Sequence, residues 1–370
     1  MHAPFRDGTS WLTVVTTKGA RAYRIPNGDV LKSQIRAWTG LLARRDGSDR
    51  EPGARLHEEL LQQPLEDLPA GVERLILVPD GPLHRLPFDA LSAGVGTPYL
   101  AERFSTSVQP SAALWLRFRS GPGHAPGRLL ALADPVQTTT LGDARGVGDA
   151  LSNARREASV ALSVFPAGSE LRTGAPASES FLKAAPLEGV SLLHLATHAV
   201  SDEADPEHSA VMLAPGSPAE DGRLEPREIA RLRLDGKAVV LAGCETSAGA
   251  VFRGEGVMSL ARAFFTAGAS AVVGTLDRAR DDEAGALFTV MYRALGHGVT
   301  LGEALSAAKR ERIREGAPAA AWAGVVLLGD ASVRPREPEA SVPGSLALAG
   351  VALTCAGVGA GQWWRRRRHG

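Results

Sequence analysis

The chain reads as an α/β protein built on a mainly parallel sheet with helices on both faces. Three observations predict this. Short apolar runs without alternation recur along the chain, each ending in small or polar residues, as buried parallel strands do. Stretches with apolar residues at helical spacing lie between them, the order that gives right-handed crossovers. Hydrophobic residues make up 44% and charged residues 22% of the 370, ordinary proportions for a packed core in one large domain or two abutting halves. In sheets of this kind ligands sit beyond the carboxyl ends of the strands.

The elements follow in order. A strand from Trp11 to Thr16, a turn at Lys18-Gly19, a strand from Arg21 to Ile25 and a turn at Asn27-Gly28 open the chain. A helix from about Val30 to Arg44 places Leu31, Ile35, Trp38, Leu41 and Leu42 on one face. Arg45 to Arg55, charged and glycine-bearing, reads as a loop, and Leu56 to Leu61 as a short helix stopped by Pro64. Glu73 to Val78 holds a continuous apolar run, Leu75 to Val78, and predicts a buried parallel strand. The same pattern recurs in LLALADP (Leu129 to Pro135), SLLHLATH (Ser191 to His198), AVVLAGC (Ala238 to Cys244) and SAVVGTL (Ser270 to Leu276). Helical spacing marks Ala154 to Phe165, Ser178 to Ala185, Glu225 to Leu232, Gly254 to Ala267, Asp282 to Leu295 and Leu301 to Arg314.

Charge and cysteine usage exclude several functions. Lysine plus arginine equals aspartate plus glutamate at 41 each, so no global basic field is present to hold nucleic acid. Two cysteines, Cys244 and Cys355, do not make a disulfide framework, and a reducing compartment follows. The opening MHAPFRDGTSWLTVV lacks a basic region followed by an apolar core of about 7–15 residues, which predicts a cytoplasmic protein. Gly344 to Gly361 carries no charge over 18 residues and precedes QWWRRRRHG. That length is enough to span a bilayer as a transmembrane helix, with Trp363 and Trp364 as interfacial anchors. Four arginines, Arg365 to Arg368, would keep the carboxyl terminus on the cytoplasmic side, so an in-plane helix on anionic lipid fits as well.

His198 and Cys244 end two successive predicted strands and would border one crevice. A thiol attacks as thiolate, so it needs a base nearby and a place for the oxyanion. His198 supplies an imidazole, and the backbone amides of Ala199 and Cys244 are candidate oxyanion donors. Beside this stands the bland reading, in which both residues pack in the core. HLATH also sets His194 and His198 four apart, as a helical metal site would. It lacks the glutamate of HExxH and lies in a strand-like run, so no metal is expected there. No glycine-rich loop with the lysine of a phosphate site follows a strand, and no cofactor is expected.

Over residues 10 to 331 the chain resembles the CHAT domain, a caspase-like and separase-like cysteine peptidase family. The resemblance rests on LILVPDGPLHRLPFDAL (Leu75 to Leu91), YLAERFSTSVQPSAA (Tyr99 to Ala113), LLALADP, RREA (Arg155 to Ala158), LLHLATHAV (Leu192 to Val200), HSAVML (His208 to Leu213), VVLAGCETSAG (Val239 to Gly249), GEGVMSLARAFFTAGASAVVGTL (Gly254 to Leu276) and WAGVVLLGD (Trp322 to Asp330). It implies a caspase-like three-layer α/β/α sandwich with a pseudo-caspase part over 1–125 and a catalytic part over 126–333; beyond it the chain's composition gives a linker over 334–343 and a membrane-associated segment over 344–370. It implies a cysteine endopeptidase with His198 as general base and Cys244 as nucleophile, His194 being structural. The 46-residue spacing of the pair is near the roughly 50 of the caspase pattern.

Departures from the family pattern are Ala199 for glycine, Ala242-Gly243-Cys244 for Ser-Ala-Cys and Leu276-Asp277 for Leu-Trp. The last removes a large ring near the S1 pocket. Relatives that cut after basic residues place an acid there, and Asp281, with Asp277 and Asp134 as alternatives, fills that role in the resemblance. The expected partners are a protein or peptide substrate, a separate activator protein in a bacterial defence or cell-death pathway, and membrane lipid through Gly344 to Arg368. The rival class is a catalytically silent CHAT scaffold or interaction module.

Overall fold

β1 (Ser10–Thr16) and β2 (Gly19–Ile25) form the expected antiparallel hairpin, Thr16 opposite Gly19. The computed structural model describes residues 9–120, 125–136, 152–200, 205–242, 256–276 and 280–337. Asn27 caps α1 (Gly28–Leu42): its side-chain oxygen accepts the Val30 N–H at 2.9 Å, so the Asn27-Gly28 signal is a helix start. Leu31, Ile35, Trp38 and Leu42 are buried as the spacing requires.

Two expectations fail in the next segment. The loop expected over Arg45 to Arg55 gives way at Arg50 to α2 (Arg50–His57). Gly53 was part of the loop signal, but a Cβ there would stand 2.8 Å from Trp38 Nε1, so the glycine serves close packing of α2 on α1. Glu51 and Arg55 add an i,i+4 ion pair at 2.6 Å. Pro64 does not stop the helix either. A π turn over Glu58–Gln62 precedes α3 (Gln63–Glu66), which carries Pro64 in its first turn. The wider turn accommodates a ring that would clash with a carbonyl of a regular helix.

The chain continues through β3 (Arg74–Leu77), α4 (Leu100–Arg103), β4 (Ser105–Val108), α5 (Ala112–Ser120), β5 (Arg128–Ala133), α6 (Ser152–Val164) and β6 (Glu170–Thr173). Next come α7 (Glu179–Ala184), β7 (Val190–Ala196), β8 (Ala199–Val200), β9 (Ala210–Met212), β10 (Arg223–Leu224) and α8 (Pro226–Ile229). The described chain ends with β11 (Ala238–Ala242), α9 (Gly256–Thr266), β12 (Ala271–Thr275), α10 (Asp281–Leu295), α11 (Leu301–Arg314) and β13 (Val325–Gly329). The helix expected over Glu225 to Leu232 shortens to the single turn of α8. α11 has the predicted bounds and a capping box, Thr300 Oγ1 accepting from Glu303 N–H and Glu303 Oε2 from Thr300 N–H.

One eight-stranded sheet runs in the order β3-β4-β13-β12-β11-β7-β5-β6. It is mainly parallel, as predicted, in two blocks. β3, β4 and β13 run together, β12, β11, β7, β5 and β6 run together, and the single antiparallel contact is β12 with β13. Alternate residues of the central strands enter opposite cores. Leu129, Ala131, Leu192 and Val240 pack with Trp38, Ala158, Phe288 and Leu305, whereas Leu130, Leu193, Val239 and Val272 pack with Leu182, Ile229 and Phe264. That division makes the three layers. β3 corrects a further expectation: it is an edge strand, with Ile76 47% exposed, so its apolar run marks one covered face rather than two.

The polar strand β6 at the other edge carried no apolar signal, and the strands of the small antiparallel sheet β10-β9-β8, two or three residues each, are too short to stand out. Among the described residues no helix is long and apolar enough to cross a membrane; Gly344 to Arg368 lies outside them.

Candidate active site

The carboxyl ends of β5, β7 and β11 are laced together beyond the last ladder pairs. Asp134 N–H donates to Ala196 O at 3.0 Å and Thr197 N–H to Ala242 O at 3.1 Å. The Thr197 hydroxyl donates to Met212 O, and Met212 N–H to His198 O at 2.9 Å. His198 therefore sits on a backbone fixed by neighbours on both sides, and only 5% of it is exposed. Thr197 is bonded to the last residue of β11, two positions before Cys244. Cys244 itself lies outside the described residues, as does Asp277. The β7 and β11 register pairs Leu192 with Ala238 and Ala196 with Ala242. His198 and Cys244 are separated in sequence by the same offset.

Ala199 pairs with Val211 across β8 and β9, and the Met212 to His198 bond makes this the non-hydrogen-bonded type of pair. In that geometry the Ala199 N–H points away from β9, as an oxyanion donor must.

His194 behaves differently. Alternation on β7 sends it, with Leu192 and Ala196, toward α6 and α10. Its Nδ1 is 2.7 Å from the Tyr292 hydroxyl and its Nε2 3.3 Å from Glu157 Oε1, with no solvent exposure. The rings of His194 and Tyr292 meet edge to face at 5.3 Å. Burial pushes the Glu157 carboxyl up and the Tyr292 hydroxyl well above its ordinary range. The two histidines of HLATH thus serve different places, one in the core and one at the sheet edge.

The expected specificity acids are held by α6. Asp134, at the end of β5 with φ 46°, pairs with Arg155 Nε at 2.5 Å. Asp281, the first residue of α10, accepts from Asn153 Nδ2 at 2.7 Å. Sequence reasoning missed Asn153, Glu157 and Tyr292; the RREA motif already held Arg155 and Glu157, the partners of Asp134 and His194.

Among the described residues one group of three acids lies close enough to hold a metal ion: Glu179, Glu220 and Glu228. Lys183 Nζ occupies its centre, donating to them at 2.6, 2.6 and 2.8 Å. Burial pushes Glu179 up, and the Lys183 ammonium pulls Glu220 down from its ordinary 4.5. The three acids hold Lys183 above its ordinary 10.5 against the opposing effect of desolvation. The Lys183 contribution is thus present below pH 10.5 and lost as pH rises further, whereas the Glu220 contribution is present above pH 4.5 and lost as pH falls. Lys183→Met is expected to cost about 1–3 kcal/mol at pH 7. Urea unfolding should show that deficit narrowing toward pH 4, as the stranded carboxylates take protons.

The site and sheet define an α/β/α protein with a histidine anchored at the carboxyl edge between two central strands. The CHAT domain family model matches residues 50–330, and the chain belongs to this family. Among solved structures, the chain is similar to the complex of Porphyromonas gingivalis RgpB pro- and mature domains. That match has TM-score 0.46 and 12% identity and covers 78% of this chain and 70% of that one. It is also similar to the Saccharomyces cerevisiae separase–securin complex, with TM-score 0.44 and 14% identity over 70% of this chain and 16% of that one. The chain thus spans a small part of that matched chain's length. No curated protein matches the chain.

Proposed function

We propose that the chain is a cysteine endopeptidase with a His198/Cys244 dyad. The observation that carries this reading is the Thr197 to Ala242 bond, which ties the histidine's strand end to the strand that leads into Cys244. In the proposed reaction His198 takes the thiol proton and the Cys244 sulfur attacks the peptide carbonyl. The tetrahedral oxyanion accepts hydrogen bonds from the Ala199 and Cys244 amides. Collapse breaks the C–N bond, and protonated His198 gives its proton to the leaving amine. Water, deprotonated by the same imidazole, then hydrolyses the thioester and regenerates the thiol. Family membership supports a separate protein activator and a role in a bacterial defence or cell-death pathway.

The test compares new protein amino termini in cells expressing the wild-type chain with its activator against cells expressing Cys244→Ala. Termini present only with wild type are the expected result. Identical termini in the two would leave the scaffold reading instead.

A further inference from the structure

A cavity of about 180 Å³ opens at the same edge of the sheet as His198. Its wall includes Leu276, the residue after β12, and Gly324 and Val325 at the start of β13. The carboxyl ends of β7, β11 and β12 share that edge because the three strands are parallel neighbours. A polypeptide crossing the edge at His198 and continuing over β12 would meet this opening. The rest of the lining mixes apolar residues such as Leu42 and Pro87 with Thr39 and two guanidinium groups, Arg45 and Arg85.

The two arginines are in different electrostatic states. Arg45 has its fork on Glu283, Nη2 to Oε2 at 2.6 Å, and is built on a left-handed backbone with φ 63° that fixes its approach. It is a paired charge. Arg85, in the 3-10 turn Gly81–Arg85, is partly buried, and among the described residues its guanidinium makes no hydrogen bond or ion pair. A cation facing a concave cavity with no acid of its own among the described residues selects an anion, and a guanidinium matches a carboxylate with two parallel bonds. The volume lies below the roughly 300 Å³ where sites for drug-sized ligands begin. It suits one short side chain, whose methylenes would lie against Leu276.

Resting on the peptidase reading above, we infer that this cavity is a specificity subsite in which Arg85 receives an aspartate or glutamate side chain of the substrate. The acids Asp134 and Asp281, which would favour a basic side chain, are each held by α6.

Binding tests this without requiring cleavage. The full chain carrying Cys244→Ala is titrated with fluorescent pentapeptides that differ only at the central residue: Asp, Glu, Asn or Arg. The Asp or Glu peptide is expected to bind at least about tenfold more tightly than the Asn peptide, about 1.4 kcal/mol. Adding Arg85→Gln should erase that preference while leaving the melting temperature and Asn-peptide affinity unchanged. Equal affinities, a preference for Arg, absence of binding, or an acid preference that survives Arg85→Gln would each overturn the assignment. Failure of the peptidase reading shows separately, as absence of wild-type-specific termini.

Discussion

His198→Ala is expected to lower the rate of peptide cleavage by about 10²–10⁴-fold, the range over which a positioned general base acts. Substrate affinity should change little. The size of the effect follows from what the imidazole does in the proposed reaction, where it both makes the thiolate and protonates the leaving amine, so its loss touches both halves of acyl transfer. The fold should survive, because His198 is anchored through its backbone carbonyl to Met212 and through Thr197 to Ala242, bonds that alanine keeps. His194→Ala supplies the contrast. It removes the partner of Tyr292 and Glu157 inside the core and is expected to act on stability first. Unfolding midpoints and single-turnover rates measured on both variants separate the roles. A His198→Ala chain that cleaves at the wild-type rate would remove His198 as base.

The legibility of this chain followed burial. β5, β7, β11 and β12 are covered on both faces, so apart from Arg128 and His194 their positions are apolar or small, and their runs stood out. β6, ELRT, is a partly exposed edge strand of ordinary polar residues, and nothing in its composition separates it from a loop. β3 had the apolar run but only one packed face, because composition reports burial and not position in the sheet. Gly53 and Pro64 misled for a common reason. Each is a breaker when considered alone, and each is explained by a contact or turn that only the fold supplies.

The candidate site was read to the same extent. His198 could be placed because it ends a buried run. Arg85, set in a 3-10 turn distant in sequence from Leu276 and Trp322, becomes part of a cavity only when α1, β12 and β13 are assembled. Asn153 and Arg155 illustrate a middle case. They lie within about one helical turn before the Glu157 that meets His194, but their acidic partners are 128 and 21 residues away, beyond any local pattern.

Lys309→Met is expected to destabilise the protein by about 3–5 kcal/mol, the cost of leaving one charge of a buried pair alone. Lys309 Nζ, on α11, is bonded to Asp89 Oδ2, and the two side chains are 3% and 6% exposed. Thr106, on β4, donates its hydroxyl to the other oxygen of Asp89 at 2.6 Å. The pair therefore clamps the segment before β4 to a helix 220 residues further along the chain. Its strength as a stabilising element is a separate matter from the damage done by breaking it, since burying both charges already cost their hydration. Asp89→Ala combined with Lys309→Met removes both charges and should recover most of the loss, leaving chiefly the cost of the Thr106 hydroxyl without its acceptor. Equilibrium unfolding of the two single variants and the double variant closes the cycle, with a coupling energy well above the 1 kcal/mol or so of an exposed pair. Losses that simply add would mean that Asp89 and Lys309 act independently and that the clamp is not what joins α11 to the β3 and β4 side of the sheet.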